Sequence, residues 1–180
     1  AMLLRASEFL GADLLLNGSS AANNEQIEAG KQLGMQHAQL VEFSSVIATD
    51  SGIQLSSVKA ADSAYPLRGQ LRSAAAPYEL ESVGDGPKPG EAWVEPRLLS
   101  ALEVNIGDSV EVGQKVLKLT RVLTYEPDRA GDFYSLTPRL LMNLADLNAT
   151  GVVQPGSRVK YSELWRGTTE QIAAYRQQIE

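Results

Sequence analysis

Apolar and polar positions change period along this chain, and each change marks an element. Ala12-Asp13-Leu14-Leu15-Leu16 is a short apolar run closed by Asn17-Gly18-Ser19-Ser20, which predicts a buried strand and a turn. Asn23 is a helix N-cap with Gln26 three residues on; Ile27, Ala29 and Leu33 form a modest apolar face, and Gly34 closes the helix. From His37 to Thr49 the pattern alternates imperfectly through Leu40, Val41, Phe43, Val46 and Ile47. Asp50-Ser51-Gly52 turns the chain into a second strand, Ile53 to Ala60, so the first lobe reads β-α-β-β and ends in a hairpin.

The texture then changes. Pro66, Pro77, Pro87 and Pro89 stand with Gly69, Gly84, Gly86 and Gly90 between Tyr65 and Gly90, a density that favours loops and edge strands. The lobe boundary is placed near Asp62–Pro66. Ala92-Trp93-Val94 is a strand stub, and Pro96 opens a helix whose Leu98, Leu99 and Leu102 face inward and which Asn105 ends. Gly107 to Leu119 alternates around Gly113-Gln114 as a hairpin, with Val122 and Leu123 continuing the return strand. Glu126 to Asp132 reads as a polar loop and Phe133 to Met142 as extended chain, because Pro138 interrupts any helix there. Asn143 caps a short helix over Leu144–Thr150, and Gln154-Pro155-Gly156 turns into a last strand, Arg158–Trp165.

Both ends read as helices in progress. Ala1 to Leu10 resembles a chain entered in mid-helix, with Ala1 as a cloning remnant. Thr168 and Gln171 form a capping box before the stripe Ile172, Tyr175 and Ile179. The expectation is a piece of something longer.

Composition adds mainly exclusions. The 180 residues carry 16 Lys+Arg against 22 Asp+Glu, a net charge of −6. Residues 1–120 hold 9 basic and 15 acidic side chains and 121–180 hold 7 of each, so no third of the chain is basic and a nucleic-acid partner is disfavoured. With no cysteine and His37 as the single histidine, thiolate zinc sites, Cys nucleophiles, disulfides and His clusters are ruled out. No run of about 18 apolar residues occurs.

Few constellations suggest chemistry. His37 lacks a Gly-x-Ser-x-Gly elbow and reads as structural or surface-lying. Glu126, Asp128 and Asp132 put three carboxylates within seven residues, which could serve calcium or acid/base work; Arg129 among them and the missing calcium-loop alternation favour a solvated loop with an internal ion pair. Gly84-Asp85-Gly86-Pro87 is no phosphate cradle, because Pro87 follows the glycines and the helix-opening glycine is missing. Trp93 and Trp165 read as packing residues. No catalytic, cofactor-binding or metal-binding residue is assigned, and no cofactor is expected.

Several strings together resemble one family. Gly90-Glu91-Ala92-Trp93-Val94, the leucine-rich helix from Leu98, and Gly107-Asp108-Ser109-Val110-Glu111-Val112-Gly113 are similar to periplasmic domains of MacB/FtsX-like ABC transporter permeases. Tyr125-Glu126-Pro127-Asp128-Arg129, then Pro138-Arg139-Leu140-Leu141-Met142-Asn143, Asp146-Leu147 with Ala149-Thr150-Gly151, and Gln154-Pro155-Gly156-Ser157-Arg158-Val159 with Tyr161 resemble the YbbP-type large permease branch, related to the lipoprotein-releasing permeases. The resemblance implies an α+β, two-lobe periplasmic domain set between membrane spans. One lobe, 1–64 with 152–180, would be built of β-α-β units from both chain ends, and 65–151 would be an inserted, mostly β lobe. It implies a non-enzymatic role: coupling the ATPase cycle of a cytoplasmic ATP-binding subunit to engagement of a periplasmic protein or lipid-linked cargo, at the periplasmic face of the bacterial inner membrane. The open alternatives are a stand-alone secreted binding module and a hydrolase using Glu126 and Asp128.

Overall fold

The computed structural model describes residues 12–128 and 137–179, with the backbone of 3–5 and 129. The elements run β1 (Leu3–Arg5), β2 (Leu14–Gly18), α1 (Asn24–Gln32), β3 (Gln36–Thr49), β4 (Gly52–Ala61), β5 (Leu71–Ala74), β6 (Ser82–Gly84), β7 (Glu91–Val94), α2 (Pro96–Leu102), β8 (Ser109–Val112), β9 (Lys115–Tyr125), β10 (Arg139–Asn143), α3 (Leu147–Thr150), β11 (Lys160–Arg166) and α4 (Thr169–Ile179). The α+β class and the order of elements follow the pattern of the sequence. The capping boxes do too: Asn23 and Gln26 bond reciprocally, as do Thr168 and Gln171.

One expectation fails at the start of the chain. Residues 3–5 are a strand, not helix; Leu3, Leu4 and Arg5 pair antiparallel with Asn17, Leu16 and Leu15. The apolar pair Leu3-Leu4 suits either element, and the free edge of β2 decides for the strand. The helix after Pro96 also stops earlier than Asn105, at Glu103, which takes the left-handed conformation (φ 55) that closes a helix. The extended segment expected from Phe133 lies partly outside the described residues; from Arg139 on it is β10.

Pairing closes part of the sheet on itself. β3 bonds to β4, β4 to β10, β10 to β7, β7 to β9, β9 to β8, and β8 back to β3, which makes a small six-stranded barrel. The β4–β10 and β7–β9 pairs are parallel and the others antiparallel. Outside the barrel, β5 and β6 extend from β9, while β11, β2 and β1 extend from β3. β3 therefore belongs to two structures: residues 36–42 pair with β11, and Ile47 and Ala48 pair with β8.

The period-2 alternation sorts each strand between inside and outside. Val41, Phe43, Ile47, Val58, Ala60, Val112, Leu117, Leu140 and Met142 fill the barrel, and Leu98, Leu99 and Leu102 of α2 join them. Alternate residues Leu40, Ala61 and Leu141 face outward and form a second core with Tyr65, Leu67 and Leu71 of the crossing, and with Trp93 and Leu164. Under α1 and α4, Leu14, Leu16, Met35, Trp165 and Tyr175 make a third. Trp93 and Trp165 are both packing residues, 4% and 0% exposed. Among the described residues no helix is long and apolar enough to cross a membrane.

Two glycines are required by close approach. A Cβ on Gly30 would overlap the Trp165 ring, so the missing side chain lets α1 lie directly on the indole. At Gly113 φ is +57 and a Cβ would strike the Thr150 carbonyl, which instead accepts a bond from Gln114 N at 2.8 Å. That contact fixes the end of α3 to the barrel rim. Replacing Gly30 by Ala forces overlap in this core and is expected to destabilise the chain by about 1–3 kcal/mol, read as a lower urea midpoint.

Candidate functional site

Lys59 sits in the apolar strand segment Val58-Lys59-Ala60-Ala61. Val58 and Ala60 point into the barrel, so the strand's alternation sends Lys59 to the outer face, beneath the crossing that carries Tyr65. Its side chain is fully buried. An ammonium there requires partners, since an unpaired buried charge costs several kcal/mol. It has them: Nζ lies 2.9 Å from Glu126 Oε1 and 2.8 Å from Asp128 Oδ2, and it donates to Tyr65 Oη at 3.3 Å. The Tyr65 hydroxyl in turn donates to Asp128 Oδ1.

A second cation extends the centre. Arg139, at the start of β10 and also buried, donates from Nε to Glu126 (3.3 Å), from Nη1 to Ser57 Oγ (3.0 Å) and from Nη2 to Glu42 (3.3 Å). Its backbone N–H donates to Glu95 Oε1 at 2.6 Å. Lys160 reaches Glu42 from β11 at 3.5 Å. Five separate chain segments thus meet through alternating charges: β3, β4, the turn after β9, β10 and β11. The turn, Pro127–Arg129, is 3-10 helical and packs on Gly69, where a Cβ would stand 2.7 Å from Pro127 Cβ.

The electrostatics follow the geometry. Burial opposes the charge on Lys59, yet Asp128, Tyr65, Glu126 and Glu42 outweigh it and hold the ammonium well above its ordinary pKa. Burial likewise works against ionised Glu42, but Lys59, Arg139 and Lys160 bring its pKa below the ordinary carboxylate value. Burial, with the neighbouring carboxylates, pushes Tyr65 well up and keeps its hydroxyl a donor.

The solvated loop read from Glu126–Asp132 is therefore corrected at its first residues. Glu126 is 5% exposed, and both Glu126 and Asp128 bond to cations of other strands. Asp132 lies outside the described residues. The acid/base pairing weighed for Glu126 and Asp128 would need them turned toward a cleft; both are turned onto Lys59. Among the described residues, no group of three or more His, Cys, Asp and Glu side chains is placed to hold a metal ion. His37 stacks on Trp165 at 4.6 Å and lies 3.7 Å from Glu163, a packing position. Lys59, Tyr65 and Arg139 were missed in the sequence. The signal was there: a lone cation within Val58-Lys59-Ala60-Ala61 and another at the head of Arg139-Leu140-Leu141-Met142.

A second junction ties the crossing to the outer strands. Arg68 grips Asp13 with two bonds of 3.0 Å, and Gly167 N donates to the same carboxylate at 3.0 Å. Burial opposes ionisation of Asp13, but these bonds together lower its pKa.

Lys59→Met is expected to lower stability at neutral pH by about 3–5 kcal/mol, because it strands Glu126 and Asp128 without their cation. The pH dependence has a definite sign. Glu42 titrates below its unfolded value of 4.5, so its contribution is complete above that pH and is lost as pH falls through the folded value. Lys59 supplies the largest favourable field on Glu42; urea midpoints measured from pH 7 to pH 3 are expected to fall less steeply in the variant.

No family model matches the sequence. In sequence the chain is 31% identical over 171 residues to the uncharacterized ABC transporter permease YbbP of Escherichia coli strain K12, a match that takes in 95% of this chain and 20% of that protein. The chain thus spans about a fifth of its relative's length. In fold it is similar to the periplasmic region of MacB from Actinobacillus actinomycetemcomitans, with a TM-score of 0.58, 9% identity, and coverage of 95% of this chain and 84% of that one. It is also similar to the extracellular domain of the noncanonic ABC-type transporter YknZ from Gram-positive bacteria, with a TM-score of 0.57, 12% identity, and coverage of 86% and 78%. By sequence the chain is related over nearly its whole length to one segment of an ABC transporter permease, and its fold is that of the MacB-like extracytoplasmic domains of such transporters.

Proposed function

We propose that this chain works at the periplasmic face of the bacterial inner membrane, as the part of a permease that couples the cycle of a cytoplasmic ATP-binding subunit to engagement of a partner protein or lipid-linked cargo. The observation that carries the reading is the continuity of β3. Its first half pairs with β11, the strand that leads into α4, and its second half closes the barrel. The outer strands β1, β2 and β11 stand side by side, so a displacement applied to them is delivered along one strand to the barrel.

The joints in this reading are the crossings read from the sequence, Tyr65–Gly90 and Gly151–Gly156; because β4 pairs with β10 and β3 with β8, the barrel moves as one body against the outer strands. The second crossing suits a joint. Its residues are half-buried to exposed, and Gly151 (φ +69) and Gly156 (φ +88) take conformations that glycine adopts without strain. The first is anchored at its start, where Tyr65 and Leu67 are buried, and becomes exposed from Glu79 to Asp85.

Amide exchange on the full-length permease with its ATPase subunit tests this. Between nucleotide-free and ATP-bound states, protection is expected to change at residues 75–90 and 151–156 while the β3–β4 pair stays protected. Identical exchange in both states would count against coupling.

A further inference from the structure

The two partners of β3 leave a gap. On the side opposite β4, β11 ends its pairing at Glu42 and β8 begins at Ile47. Among the described residues no strand pairs with 43–46 on that side. Backbone groups of alternate residues in a strand point to alternate sides, so part of this stretch directs N–H and C=O groups into the gap. At about 3.3 Å per residue the gap has room for about four residues of extended chain.

The gap is open to solvent and has its own chemistry. Val153 and Val159 of the segment after α3 pack against the barrel core, and among the described residues no backbone bond joins that segment to residues 43–46. Between them lies a cleft of about 600 Å³ that Ser44, Ser57, Ser157, Arg158 and Lys160 help to line. Arg158 is exposed, and the Lys160 side chain is 55% exposed although it touches Glu42. Arg139 donates to Ser57 and Glu42 from behind. Arg139 is matched by Glu126 as well as by Glu42, so the cleft's own lining sets two exposed cations, Arg158 and Lys160, against the carboxylate of Glu42, a positive place on a chain of net charge −6. Next to it on the same outer face, Val46 and Leu55 are paired and about half exposed, at 48% and 49%.

We propose that this seam is a docking site for an extended, acidic segment of a partner protein, which would add a short strand along Phe43–Val46. Main-chain bonds to the open edge would hold it, as in other strand additions. Alternate side chains would divide between the two surfaces present, apolar ones toward Val153 and Val159 and carboxylates toward Arg158 and Lys160. The main-chain bonds and the alternation favour a peptide over a membrane surface, which would need neither.

The test uses the isotope-labelled 180-residue chain and the hexapeptide Glu-Val-Glu-Val-Glu-Val, blocked at both ends, with Lys-Val-Lys-Val-Lys-Val as comparison. The acidic peptide at millimolar concentration is expected to shift the amide resonances of residues 43–46 and 157–160 and slow their exchange; the basic peptide is expected to leave them unmoved. Arg158→Glu with Lys160→Glu should weaken acidic-peptide binding at least about tenfold. Arg158→Gln with Lys160→Gln, a gentler change, should give an intermediate loss, and the unperturbed remainder of each spectrum shows that the variant is folded. Equal response to both peptides, no response at the seam, or binding indifferent to the charge changes would overturn the proposal. So would shifts at these residues produced by phosphatidylglycerol vesicles and not by peptide, or by self-association of the chain in sedimentation; these would assign the surface to lipid or to a second copy.

Discussion

A lysine ammonium buried away from the surface constrains much of this molecule. Once β4 places Lys59 on the outer wall of the barrel, the fold must bring carboxylates to it, and it brings them from a segment more than sixty residues away in the chain. Every element that contributes then becomes dependent on the others. The crossing after β4 must lie low enough for Tyr65 to share Asp128, the turn after β9 must close over the wall, and β10 must enter beside β4 to set Arg139 on Glu126. An apolar residue at 59 would pack without these requirements. A buried charge demands specific partners, and it thereby selects one arrangement of the loops over other compact ones.

The hydrophobic cores do a less specific job. The barrel interior, the outer core beneath the crossing, and the cluster around Trp165 are filled by alternating strand residues and by single faces of the helices. They supply most of the burial that drives folding, but their contacts would tolerate changes of volume-conserving kind. The ionic centre and the Asp13–Arg68 pair lie between these cores. Both join the crossing to strands on its two sides, so the irregular part of the chain is held by directional bonds where packing alone would leave it loose.

How much of this could be read in advance depended on the range of the physics involved. Asn23 with Gln26 and Thr168 with Gln171 act within one helical turn, and their capping boxes were legible. So were the hairpins at Gly52 and Gly113, where turn chemistry is local. The α+β class and the transporter resemblance were legible as well, the latter from strings spread across the chain. Barrel closure was not, because the pairing of Ile47 with Val112 depends on curvature accumulated over six strands. The charge centre was half visible. Glu126 and Asp128 stood out as acids, but their partners Lys59 and Arg139 were hidden among apolar neighbours, and no local rule connects positions that distant. Leu3-Leu4 was misread for the opposite reason: a short apolar pair carries no period, and an adjacent strand edge decided its state.

The double membership of β3 bears on how such a domain can change length. A strand's side chains alternate, so a single inserted or deleted residue would exchange the inner and outer sets for everything beyond it. In β3 that exchange would put Glu42 inside the barrel or take Ile47 out of it, and would also misalign one of the two sheets. The fourteen residues from Gln36 to Thr49 are therefore a fixed ruler. Growth and shrinkage are confined to places where no alternation is counted, such as the exposed stretches at 78–81 and 154–157, where a change of length leaves the register of this strand untouched.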